Sequence, residues 1–255
     1  MKITNRLIPV ITPALILAGL ELFFLKPQFI YFIFIFLVLV IIGATWKIIG
    51  KGLMNIEARW LYLLTPLSFL TSGVFFLMFL ERPWARHLLA LFLAIFCGVF
   101  LENIFVYIYE HAKYQINSLE NVSNYLNLAS MFLFNSSLFG FSVFLNIALW
   151  KLSLISFVIT FALTFQTIWI NKINIRAAPI QISVICLVLF ELFWAVSFLP
   201  TAFYVNGLII AISFYLMNNL MRLHLLDSLN KKVIRRYFIL CSLIIFLILL
   251  TAQWV

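Results

Sequence analysis

The chain has 255 residues, 65% of them hydrophobic and only 10% charged, with a mean hydropathy of +1.16, whereas soluble domains carry roughly 25% charged residues. A water-soluble fold of this size cannot hide so much apolar surface. A disordered or fibrous chain would need low hydrophobicity or a strict repeat. The net charge of +9 comes from Lys and Arg scattered between apolar runs. That leaves no basic face for a nucleic acid and points to membrane orientation and anionic lipid.

A helix needs ~20 apolar residues to cross ~30 Å of hydrocarbon. In chain order, nine segments qualify: Leu7–Leu25, Phe29–Trp46, Trp60–Leu80, Leu88–Tyr109, Tyr125–Ile147, Leu152–Ile170, Pro179–Leu199, Phe203–Met221 and Tyr237–Trp254. The first is too long for a signal-peptide core and lacks a clear cleavage site after it, so it reads as an uncleaved span. All must be helices, since an open sheet in lipid leaves backbone groups unpaired. The expected architecture is therefore an all-α polytopic bundle, a single membrane domain with no soluble part.

Only Lys151 interrupts the run between the fifth and sixth spans, and charge parity decides that boundary. With nine spans, the N-terminal side collects Lys2, Arg6, Lys47, Lys51, Arg59, Lys113, Lys172, Arg176, Arg222, Lys231, Lys232, Arg235 and Arg236. The other side keeps only Lys26, Arg82, Arg86 and Lys151. Merging the two spans destroys this bias and buries Lys151. The positive-inside rule thus places the N-terminus in the cytoplasm and the C-terminus outside, in the cytoplasmic membrane.

The longest expected loop is Glu110–Asn124. The segment Arg222–Arg236 reads either as a helical extension or as a short amphipathic stretch on the cytoplasmic leaflet, where Lys231, Lys232, Arg235 and Arg236 would meet anionic headgroups. Arg82 and Arg86, with Trp84 between them, form a similar headgroup candidate at the other surface. Acidic phrases recur around Glu21, Glu102 and Glu191, each in the first span of three, which suggests a three-helix repeat of the kind transporters use.

Those three Glu are the only acids deep within spans. An acid near the bilayer centre is disfavoured by roughly 2.5–3.5 kcal/mol, so each is a candidate for proton coupling, ion capture or substrate binding. Glu21 and Glu191 fall in the outer half and Glu102 in the inner half. No Lys or Arg sits deep in any span to neutralise them, and desolvation then favours the protonated acid. In the sixth span Ser153, Ser156, Thr160, Thr164, Thr167 and Asn171 follow steps of three and four, which puts all of them on one helical face. Tyr62, Thr65, Ser68 and Ser72 do the same in the third. Such stripes line a polar pathway or let helices approach closely. Asn103 lies 100° around the helix from Glu102 and need not share its face.

The three histidines sit at span ends, so no pair can hold a haem across two helices. HExxH, Gly-x-Ser-x-Gly and the phosphate-binding GxxxxGK[ST] are all absent. Cys97, Cys186 and Cys241 lie in apolar runs and form no metal or disulfide pattern. No cofactor or metal is implied. Glu21-Leu22-Phe23-Phe24 slightly resembles the acidic, Phe-rich motifs of membrane-embedded lycopene cyclases. The match spans only a few residues and lacks their paired acid with its preceding Pro, so no residue role is carried over. Three functional classes remain: a small proton-coupled secondary carrier, a lipid- or isoprenoid-active enzyme with a Glu acid catalyst, and a non-catalytic assembly subunit. Missing enzyme signatures and the possible repeat favour the carrier.

Overall fold

A computed structural model describes residues 2–50, 56–174 and 178–252. Lys51, Arg176 and the far end of the predicted ninth span at Trp254 lie outside them. Among the described residues there are nine helices long and apolar enough to cross a membrane: α1 (Lys2–Leu25), α2 (Ile30–Ile49), α3 (Ile56–Leu77), α4 (Pro83–Tyr109), α5 (Ser118–Leu145), α6 (Leu149–Ile170), α7 (Pro179–Ser197), α8 (Phe203–Leu225) and α9 (Lys231–Thr251). The protein is a multi-pass, all-helical membrane protein.

Local chemistry sets the helix ends. Pro83 and Pro179 open α4 and α7 at the first helical turn, where a missing N–H costs nothing and the fixed φ suits a helix. The break that parity demanded between the fifth and sixth spans is present. Asn146 takes a left-handed φ of 52°, a conformation Asn tolerates better than most residues, and α6 restarts at Leu149. At the far end of α6 the Ile173 N–H bonds to the Ile168 carbonyl and Lys172 to Trp169. Ser228 to Leu223 and Asp227 to His224 repeat the pattern after α8. Both ends are Schellman caps, with Lys172 and Asp227 in the left-handed position usually given to Gly.

Six helices, α1, α3, α4, α5, α6 and α9, begin earlier than hydropathy suggests. Arg86 and His87 belong to α4. The expected loop Glu110–Asn124 is largely replaced by a short 3-10 turn at His111–Lys113 and the first turns of α5. Lys231, Lys232, Arg235 and Arg236 occupy the first turns of α9, so the Arg222–Arg236 segment is a helical extension on each side of a tight turn.

Packing divides the chain into two compact units, Met1–Asn127 and Leu128–Val255, with the division inside α5. In the first unit α1 packs most extensively on α4, and α2 and α3 complete the group. Phe69, Phe100, Leu20 and Leu37 are fully buried there. In the second, α6, α7, α8 and α9 pack in sequence order, and Phe139 of α5 stacks on Phe193 of α7 with ring centroids 4.4 Å apart. Helix α9 is peripheral, and Cys241 is its one buried residue among those described. Helix α1 packs on α2 as well as on α4, so the first three helices do not form a group separate from the fourth.

Candidate functional site

The two acids of the first unit serve one helix pair. Helices α1 and α4 run antiparallel, and a polar side-chain contact joins them at each end. At the N-terminal end of α1, Arg6 lies 3.2 Å from Glu102 and 3.3 Å from Glu110, and its guanidinium sits over the Phe105 ring. At the other end, Glu21 meets the Nδ1 of His87 at 2.9 Å. No Lys or Arg comes from deep within a span: Arg6 reaches Glu102 from outside the predicted apolar run, and Glu21 meets an imidazole. Helix α1 begins before its apolar run and so carries Arg6 alongside Glu102, and the early start of α4 brings His87 to Glu21. Both acid side chains are about two-fifths exposed, 38% for Glu102 and 39% for Glu21.

Next to the Arg6 cluster a hydrogen-bonded chain joins three helices. Asn5 donates to the Tyr109 hydroxyl and Tyr109 donates to the Ile48 carbonyl, both at 2.9 Å. A shallow cleft of about 190 Å³ opens beside it, lined by Glu102, Asn103, Lys113, Tyr114, Gln115 and Ser118 among others. Asn103 does share this cleft with Glu102, and it accepts a bond from Ser118 at 2.5 Å. Lys113 is held at 2.9 Å by Glu110. Each charge lining the cleft thus already has a counter-charge.

Tyr114 closes the same region by donating to the Glu120 carboxylate at 2.7 Å. Glu120, expected in a loop, is instead buried on the first turn of α5. Burial first, and then the bond to Glu120, push the Tyr114 hydroxyl up to about 12 from 10.0. A raised folded value means that the stability Tyr114 lends is complete below pH 10 and is lost as pH climbs through about 12. Alkaline titration of phenolate absorbance, taken as wild type minus Tyr114→Phe, should show its step near the upper value. A step at the ordinary tyrosine position contradicts the arrangement.

The Arg6 cluster yields a second expectation. Exposed pairs contribute about 0.2–1 kcal/mol each, and like charges at the same distance oppose folding by similar amounts. Arg6→Glu should therefore lower the thermal midpoint of the detergent-solubilised protein by about 2–4 °C. Adding Glu102→Arg should restore most of that loss. Failure of the swap to rescue would disconnect the two residues.

In the second unit the polar side chains form a buried seam without charge. Ser153, Ser156, Thr160, Thr164 and Thr167 of α6 are all buried, as their spacing implies, and Asn171 is half-buried at the helix end. Several hydroxyls return to their own helix, such as Thr167 to the Leu163 carbonyl at 2.8 Å. Ser156 instead crosses to α5 and donates to Asn135 Oδ1 at 2.7 Å, while the Asn135 amide donates to the Met131 carbonyl. Ser136 packs against Gly207 of α8, and Asn206 beside it accepts from Thr201 at 2.6 Å. Ser136, Thr160, Thr164 and Asn218 carry buried polar atoms with no hydrogen-bond partner among the described residues. Gln166 is also fully buried, although it falls off the six-residue stripe and gave no sequence signal.

Glu191 stands apart. It is exposed on α7 and has no hydrogen bond or ion pair among the described residues. Of the headgroup candidates, Arg82, Lys231, Lys232, Arg235 and Arg236 are exposed, whereas Arg86 donates to the Leu80 carbonyl. No group of three or more potential metal ligands exists among the described residues. In comparisons with known proteins, no protein family, no curated relative and no solved structure matches this chain.

Proposed function

We propose that this multi-pass protein is a small carrier or permease for uncharged polar solutes, set in the cytoplasmic membrane with its N-terminus inside and its C-terminus outside. The observation that carries the reading is the group of buried, unpartnered polar atoms on Ser136, Thr160, Thr164 and Asn218. A buried polar group left dry costs about 1–3 kcal/mol, and native interiors leave few of them. Water or a hydroxylated solute in the seam supplies the missing bonds.

The buried polar residues of the second unit, among those described, are all uncharged, which suits a neutral solute and requires no coupled proton. Glu21, Glu102 and Glu191 take no part in this reading, because the first two are bound to basic partners and the third faces outward. The exposed basic residues at the start of α9 lie on the proposed cytoplasmic side, where they attract anionic headgroups.

The test is osmotic swelling of liposomes holding the purified protein, with glycerol, urea and erythritol as the permeants. Swelling faster than in protein-free liposomes for at least one of them, reduced severalfold by the Thr160→Val, Thr164→Val double variant, supports the reading. Rates equal to those of empty liposomes for all three overturn it. Orientation is checked separately with a C-terminal alkaline phosphatase fusion, which should be active because that end is external.

A further inference from the structure

Glu191 marks a surface that the seam does not explain. Ile180, Val184, Leu187, Glu191, Ala195 and Phe198 are all exposed and follow steps of four, three, four, four and three along α7. That is the spacing of a helix-packing seam. The stripe is apolar except at its middle. At 1.5 Å per residue, Glu191 lies about 18 Å from the Pro179 end of α7 and about 9 Å from the Ser197 end. A carboxyl at that depth is costly against acyl chains, and a short Glu side chain reaches neither interface.

We infer that this face of α7 docks a membrane-spanning helix of a different protein, one that presents a Lys or Arg at the depth of Glu191. Charge complementarity selects that occupant. The opposite charge removes the cost of the isolated carboxyl, and in hydrocarbon such a pair both attracts and fixes the register of two helices. A second copy of this chain does not fit. Among the described residues its Lys and Arg lie within the first or last two turns of helices or in turns, so these offer no cation to a copy at the level of Glu191. The inference is independent of solute movement through the seam.

The probe is a dye-labelled polyleucine spanning peptide with one lysine set at the depth of Glu191, compared with the same peptide lacking the lysine. Both are mixed with the full-length labelled protein in phosphatidylcholine liposomes, and association is read by energy transfer. The lysine peptide should bind about tenfold tighter than the all-leucine one. Glu191→Leu should erase that preference while leaving the protein's elution profile unchanged. Equal binding of the two peptides overturns the inference, as does a preference that survives Glu191→Leu. Energy transfer between copies of the protein that Glu191→Leu abolishes, with no preference for lysine, assigns the face to self-association and also overturns it.

Discussion

Gly207→Val is expected to unfold the second unit. A Cβ at Gly207 would meet the Ser136 hydroxyl, the Ser136 backbone nitrogen at 2.5 Å and its Cα at 2.7 Å. Because two of these atoms are backbone, no rotamer change relieves the overlap and α5 must part from α8. Parting them also pulls Asn135 from Ser156 and opens the buried hydroxyls of α6. Overpacking typically costs 1–3 kcal/mol. A contact with rigid backbone belongs at or beyond the top of that range, so the variant should leave the monodisperse peak on detergent gel filtration. Gly43 is the control, since nothing lies within 4 Å of the Cβ it would gain. Gly43→Ala should be neutral or stabilising by about 0.5–1 kcal/mol, as for any mid-helix Gly→Ala change with open space. Equal tolerance of both substitutions would refute the close approach of α5 and α8.

Gly98→Leu is the matching disruption in the first unit, at about 3 kcal/mol or more by the same overpacking logic. The missing side chain of Gly98 makes room for the Pro13 ring of α1, and the added Cβ would also come within 3.4 Å of the Pro9 carbonyl. Pro13 cannot donate to that carbonyl, so α1 is locally a bundle of rigid groups with little freedom to yield. Forcing α1 away should separate both clasps, Arg6 from Glu102 and Glu21 from His87. A double-mutant cycle makes this specific. The cost of Arg6→Glu should disappear in the Gly98→Leu background, because the pair it breaks is already apart. An undiminished cost would mean that α1 is held at its end independently of its middle.

The legible part of this fold was carried by hydropathy and period. Nine apolar runs become nine helices, and parity of Lys and Arg found the break that Asn146 makes between α5 and α6. The three-and-four spacing of Ser153 through Thr167 predicts one face, and that face is buried. Partner choice was not legible. Arg6 and Glu102 come together only because α1 packs on a helix that is not its sequence neighbour, and because α1 begins before its apolar run. The same pairing, with the early start of α4, joins His87 to Glu21. Spacing alone gave Asn103 and Glu102 different faces, yet a cleft at a helix end is wide enough to admit both. For Glu191, depth was readable from sequence but direction was not. An apolar span has no polar face to say which side meets protein, and the helix moment is weak when every neighbour is Leu, Val or Phe.

The wetness of the seam in the second unit is decided by cysteine labelling along α6. With Cys97, Cys186 and Cys241 replaced by Ala, single Thr160→Cys, Thr164→Cys and Leu163→Cys variants are treated with methanethiosulfonate ethylammonium in intact membranes. A polar route predicts that Thr160→Cys and Thr164→Cys are modified while Leu163→Cys, in the apolar core, is spared. If neither threonine position reacts while Lys151→Cys at the helix start does, the seam is dry packing and the carrier reading fails.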